Sequence, residues 1–380
     1  MADISPQALI DRATALIPVL QERAEECENL RRLPEATIAD LKSSQLVDVC
    51  KPKQFGGFEF GWEVFCKIIM ELAQGCGSTA WVYAVYAEHA CRMGNYPLEV
   101  QEEVWGQDPS TFISSGNNWQ TELKPVDGGF RLSGRFNYSS GCDYAGWHMT
   151  GGMVAGKNER RQISFPASDR ELDDNWHVVG LAGTGSKDYI LDNVFIPEHR
   201  TYPVPGPGLR AKDKVIFRLP QWSVYPFDLA SVSVGVAQGG LDRFVESLKS
   251  RISRFGAKIA EFQSLQLRIA ESAAELDMAR RIIFDDLQES QEYLEHNEKL
   301  PREMMARNKR DMAYAPVLAM RAIDRIFYAA GAGGLFMSND LQRCFRDVHA
   351  GAAQLALDWD VNGTTWGQVA LGLDPGVVRW

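Results

Sequence analysis

The sequence predicts an α+β chain in three parts: a helical segment over residues 1–110, a β-domain (sandwich or barrel) over 111–225, and a helical bundle over 226–380. Three observations predict it. In the first hundred positions, and again from Asp228 onward, apolar residues recur at three- and four-residue steps, the period of a helix with one buried face. Between about Thr111 and Thr201, short apolar runs are cut by glycines and turn residues, the texture of strands and hairpins. The chain also has material for a large core. With 380 residues, 45% hydrophobic and 24% charged, it can bury enough apolar surface to fold without disulfides or structural metals.

In PQALIDRATALIPVLQERAEE, the residues Ala8, Leu9, Ala13, Leu16, Ile17 and Leu20 form one helical stripe. Pro34 opens PEATIADLKSSQL, where a first-turn proline forfeits no needed donor. Glycines punctuate FGGFEFG (55–61), and the helical pattern resumes in WEVFCKIIMELAQG (62–75). STAWVYAVYAEHACRMG (78–94) is apolar on nearly every side, so it belongs inside a bundle or against a ligand. FISSG, GGFRLSGRFNYSSG, WHMTGGMVAG, RQISFPA and DYILDNVFIPEHR each read as strand plus turn, and together predict a compact β-domain. Pro203, Pro205, Gly206, Pro207 and Gly208 mark a loop. Long periodic segments follow from 229 to 256 and from 262 to 297. The charges of RNKRD (307–311) are expected on a solvated helix face, and a last helical stretch is expected from 340 to 372.

Charge and motif content exclude several functions. Forty Lys and Arg stand against 50 Asp and Glu, a net charge of −10, which disfavours nucleic acid and anionic membrane as partners. Seven cysteines without a C-x-x-C pair fit a reducing, cytoplasmic setting. The first residues lack the basic and apolar regions of a secretory signal, and no apolar run reaches the ~18–20 residues of a membrane span. Six histidines give no H-x-x-x-H pair and no zinc spacing, so no metal centre is expected. GAGGLF (331–336) follows a helix rather than a strand, which removes the dinucleotide-binding context. There is no phosphate-binding P-loop and no G-x-S-x-G elbow.

The helix–β–helix order, together with RFNYSSGCDYAGW (135–147), VVGLAGTGSKDYILDNVFIPEHR (178–200), the segment 253–280 and LQRCFRDVHAGAAQ (341–354), resembles the acyl-CoA dehydrogenase fold family. With ELAQGCGSTAWVY (71–83) and the SSGCD–W pattern, the chain is similar above all to one branch, the oxygenase components of two-component, reduced-flavin-dependent monooxygenases of the phenol and indole type. The resemblance implies an acyl-CoA dehydrogenase-like fold with a C-terminal four-helix bundle, a homotetramer, and FADH2 or FMNH2 with O2 as cofactors. It also implies a separate NAD(P)H–flavin reductase as partner, and electrophilic attack on an aromatic small molecule by a C4a-hydroperoxyflavin. A dehydrogenase would need a carboxylate base. One family position for that base is Ser253 here. At the other, no carboxylate follows Arg346-Asp347 until Asp358. The alternatives are an acyl-CoA dehydrogenase-like enzyme with a relocated base and a non-catalytic member of the fold.

The resemblance also implies a set of site residues. Ser139 and Ser140 fall where the family places groups beside flavin N5, and both are expected in catalysis and cofactor binding. Ser114, Ser115, Trp176 and Thr184 are expected along the flavin ring. His89 is expected to face the substrate and to accept or orient a phenol or indole proton, with Trp81 and Tyr86 lining the same pocket. Gln354 stands where phenol hydroxylases of this branch often carry a histidine. It lies five residues from His349, about 140° around a continuous helix, so only one of the two can face the flavin.

Overall fold

The computed structural model describes residues 4–204 and 214–376; Pro205, Gly206, Pro207 and Gly208 of the expected loop lie outside the described residues. The N-terminal helices are α1 (Pro6–Glu22), α2 (Ala24–Leu30), α3 (Glu35–Ser43), α4 (Trp62–Gly75), α5 (Gly77–Met93) and α6 (Leu98–Trp105). Ser5 caps α1 by accepting the Ala8 amide at 3.2 Å, and Pro6 takes the first helical position, where its missing N–H costs nothing. Helix α5 is buried along almost its whole length, as its all-round apolar pattern requires. Each large side chain fully removed from water there contributes about 1.5–3 kcal/mol.

Eight strands follow: β1 (Phe112–Ser115), β2 (Glu122–Val126), β3 (Gly129–Ser139), β4 (Ala145–Val154), β5 (Arg160–Pro166), β6 (Glu171–Asp173), β7 (Lys187–Pro197) and β8 (Thr201–Val204). They form one sheet in the order β6-β7-β3-β2-β4-β5-β8, with β1 also paired to β4. One edge of β4 is shared. Its first half pairs with β1 and its end with β2, both parallel. The sheet curls on itself. Phe165 of β5 meets Tyr189 of β7 at 5.6 Å although three strands separate them in the sheet order, and Phe136 stacks on the same tyrosine at 5.1 Å. Leu123, Leu132, Ile163 and Leu191 complete this core.

The C-terminal part consists of α7 (Phe227–Lys249), α8 (Gln263–His296), α9 (Arg302–Ala330), α10 (Asp340–Ala352) and α11 (Trp359–Ala370). Helix α7 crosses α4 at very short range. A Cβ at Gly235 would stand 2.6 Å from the Met70 carbonyl oxygen, and one at Gly239 would stand 2.5 Å from that of Gln74. All seven cysteines are free and buried.

Two expectations are corrected here. The run RNKRD is not a solvated face: Asn308, Lys309 and Asp311 are buried, Asn308 donates to Ser290 of α8 at 2.8 Å, and Arg307 pairs with Asp286 at 2.8 Å. The last helical stretch is also broken. Helix α10 stops at Ala352, the Gln354 side chain accepts the Ala356 amide at 2.5 Å to start a short 3-10 turn, and Asp358 caps α11 by accepting the Val361 amide at 2.9 Å. Among the described residues, no helix is long and apolar enough to cross a membrane.

Candidate active site

Strand β3 ends in a turn built on two left-handed residues, Tyr138 at φ +62° and Gly141 at φ +70°. A Cβ at Gly141 would fall 2.7 Å from the Tyr86 hydroxyl, so glycine alone lets that hydroxyl donate to the Gly141 carbonyl at 2.6 Å. Tyr86 is held from its other side by stacking on Phe112, 4.4 Å between centroids. Helix α5 thus fixes the turn from above while β1 supports it from below.

Hydroxyls converge on this turn, and their protons can be directed one by one. A carbonyl can only accept. Ser114 therefore spends its proton on the Ser140 carbonyl at 2.7 Å, and Ser139, 2.8 Å away, donates to Ser114. Thr184 donates to the Leu181 carbonyl at 2.8 Å, Ser186 donates to Thr184 at 2.7 Å, and Ser140 donates to Ser186 at 2.6 Å. Trp81 Nε1 gives its hydrogen to Ser140 Oγ at 3.1 Å. The Ser140 hydroxyl is left with its proton turned inward and one lone pair uncommitted, an acceptor for an incoming N–H. The structure thus joins Trp81, Ser114, Ser139, Ser140 and Thr184 into one network. Ser115, the next residue on β1, is half-buried on the opposite face by strand alternation.

The loop from Trp176 to Ser186 forms the adjoining wall. Trp176 Nε1 donates to the Leu181 carbonyl at 3.2 Å, and its ring stands edge-on to Tyr138 at 5.9 Å. Leu181 sits at φ +51°, a conformation that costs a branched residue roughly 1–3 kcal/mol. The C-terminal bundle holds it there. Asp347 of α10 accepts the Leu181 amide at 2.7 Å, and Arg346 donates to the Val179 carbonyl at 2.6 Å. Arg346 and Arg343 also pair with Glu28 of α2. Burial raises the Glu28 carboxyl, but the two guanidinium groups outweigh it and hold it below the usual range. Burial pushes Asp347 up to about 7, with Cys76 adding to the rise and the Leu181 amide opposing it.

His89 lies two turns beyond Trp81 on α5. At about 100° per residue, it points between the directions of Trp81 and Tyr86. Its Nδ1 lies 2.5 Å from the Val85 carbonyl and 2.7 Å from a Glu88 oxygen, while Nε2 is buried without a hydrogen-bond partner. On β4, His148 Nε2 accepts from Arg170 at 2.7 Å, and burial, followed by the charges of Arg170 and His89, pushes this imidazole well below its ordinary pKa. Gln354 is half-buried and spends its side-chain oxygen on the turn after α10. Since that turn lies outside the helix, the angular relation to His349 does not hold. His349 is half-buried, pairs with Asp324 at 2.8 Å and packs on Phe345. Sequence reasoning missed three contributors: Ser186, Glu88 and the Arg346–Asp347 clamp. Glu88 carried a signal, as a charge inside an apolar helix next to the histidine.

The group that the fold implies here is a flavin, and the residues fit one. Ser140 offers an acceptor suited to the N5–H of a reduced ring. Beside it, Tyr138 (69% exposed) and Val179 (73% exposed) leave apolar surface free for a planar ring system.

Residues 228–359 match the family described as acyl-CoA dehydrogenase, C-terminal domain. Over 96% of its length the chain is 32% identical to the oxygenase subunit HsaA of a flavin-dependent monooxygenase from Rhodococcus jostii, covering 98% of that protein. It is likewise 32% identical to the oxygenase component of an FADH2-dependent resorcinol hydroxylase from a Rhizobium species, covering 97% of this chain and 95% of the relative. Among solved structures, XiaF from Streptomyces, in complex with FADH2 and glycerol, superposes with a TM-score of 0.93 at 26% identity, covering 99% of this chain and 98% of that one.

Proposed function

The chain belongs to the oxygenase components of flavin-dependent monooxygenases, and on that premise we propose that it hydroxylates an aromatic or heteroaromatic small molecule, a phenol, an indole or a polycyclic ring. Reduced flavin, FADH2 or FMNH2, supplies the activation of O2 when bound, and a separate NAD(P)H-dependent reductase supplies the reduced flavin. The single observation that carries the reading is the hydroxyl network, which leaves the Ser140 hydroxyl with one lone pair to offer. Trp81 and Tyr86 close the turn against water, and His89 orients the substrate through its free nitrogen and takes up its proton.

The carboxylates speak against acyl-CoA dehydrogenation. Asp358 is spent on capping α11, and Ser253, at the other family position for a base, accepts the Ala257 amide at 3.0 Å within a surface turn. We assign the assembly as a homotetramer acting in the cytoplasm. The deciding experiment mixes the flavin-free protein and reduced FMN or FAD with O2 in a stopped-flow instrument. The reappearance of oxidised-flavin absorbance is expected to lag far behind that of free flavin. Reoxidation at the free-flavin rate would falsify the oxygenase reading.

A further inference from the structure

We infer that Glu88 is a positioning residue acting through His89: its carboxylate stabilises the imidazolium formed when Nε2 takes the proton of a substrate hydroxyl or ring N–H. The inference rests on His89 being the substrate-facing base of the proposed function. In the step, the substrate O–H or N–H bond breaks, the Nε2–H bond forms, and the electron pair stays on the substrate; no oxidant or reductant is consumed.

The geometry at Nδ1 carries it. Two acceptors, the Val85 carbonyl at 2.5 Å and Glu88 Oε2 at 2.7 Å, place a hydrogen on Nδ1 and leave Nε2 with a bare lone pair. That lone pair is buried and unpartnered, which costs roughly 1–3 kcal/mol in the absence of a ligand. The Val85 carbonyl alone would settle the tautomer, so what Glu88 adds is charge. It is 7% exposed, and its second oxygen is anchored by Arg92 at 3.3 Å, one helical turn on. Burial works against its ionised form, but the Arg92 guanidinium and the hydrogen bond from His89 outweigh this and hold it below the usual carboxylate range.

Of the other titratable groups facing this cluster, His148 and its partner Arg170 on the β-domain side carry no negative charge, and burial pushes His148 well down. Asp228 of α7 is pushed well up by burial and by the Glu88 charge. Burial likewise raises Cys91, Tyr96, Tyr202 and Tyr225. Glu88 is therefore the negative charge in contact with the imidazole. A carboxylate hydrogen-bonded to the far nitrogen of a histidine stabilises the protonated ring in the same way in acyl-transfer triads.

The test needs no flavin. Flavin-free protein is saturated with 4-nitrophenol in mildly acidic buffer, with occupancy checked by equilibrium dialysis, and the bound phenolate is read from its absorbance. The wild-type protein is expected to show the phenolate band and H89A to lose it. E88Q, which keeps the shape and a hydrogen-bond acceptor but not the charge, should lower the bound phenolate-to-phenol ratio roughly tenfold. E88D, which keeps the charge with a shorter reach, should retain more of the band than E88Q. A merely structural role orders the two variants the other way, because glutamine matches glutamate in size. A wild-type band in E88Q that is lost only in H89A overturns the role of Glu88 and leaves that of His89 standing. A band that survives in H89A, or is absent from the saturated wild type, overturns the reading of His89 and the inference with it.

Discussion

Ser140 has one lone pair to offer, and Ser139 supports it through Ser114. Replacing both serines with alanine removes the acceptor and the bonds that aim it, a loss of about 0.5–1.5 kcal/mol per hydrogen bond. The S139A/S140A variant, assayed with a reductase, is expected to release several-fold more H2O2 per NAD(P)H consumed; unchanged coupling would remove both serines from the site. Asp347 gives a second residue-scale prediction. Its ordinary value is 3.8, and burial raises it to about 7 in the folded chain. The native state therefore holds a proton that the unfolded state has released. The resulting stabilisation is complete below the unfolded value and is lost as pH rises through about 7. D347N keeps the acceptor for the Leu181 amide and does not ionise. Its stability relative to wild type is expected to climb between about pH 4 and pH 7, by at most roughly 1.4 kcal/mol per unit. Denaturant melts of both proteins across that range measure it, and parallel curves would refute it.

At the scale of elements, the crossing of α7 over α4 depends on Gly235 and Gly239. A methyl group at Gly239 must push two backbones apart, at a cost of about 1–3 kcal/mol by analogy with overpacked cores. G239A is expected to lower the melting temperature without changing bound-flavin spectra, as calorimetry and titration can check. The elements were largely legible in the sequence because their periods are local: α5 announced itself by its length and its apolar content. What was illegible depended on distant partners. Nothing in RNKRD says that Asp286 and Ser290, about twenty residues earlier, wait on α8 to draw it inward. Nor does the sequence around Gln354 reveal that its side chain starts a new turn after α10 rather than continuing that helix. Ser139 and Ser140 were legible as a candidate site only through family resemblance; the direction of their protons needed Thr184, Ser186 and the Leu181 carbonyl in place.

The whole molecule leaves a good deal of apolar surface bare on its C-terminal side. Phe255 is 95% exposed and Tyr328 83%, and Leu335, Phe336 and Met337 are each about two-thirds exposed. Surfaces of this kind are normally covered by another chain. Sedimentation velocity is expected to show a tetramer, and the double substitution F255D/Y328D to shift it to smaller species; a wild-type monomer would end the assignment. The net charge of −10 disfavours nucleic acid as a partner.

The burial of all seven cysteines has a consequence for endurance. An oxygenase that misfires releases peroxide inside its own cleft, and the first casualties of peroxide are accessible thiolates. Cys142 lies two residues from Ser140, yet burial pushes its thiol up to about 12, which keeps it protonated and slow to react. Cys76 is the exception: the hydrogen bond from Cys27 pulls its thiol down to about 6, so burial rather than protonation is what shields it from peroxide.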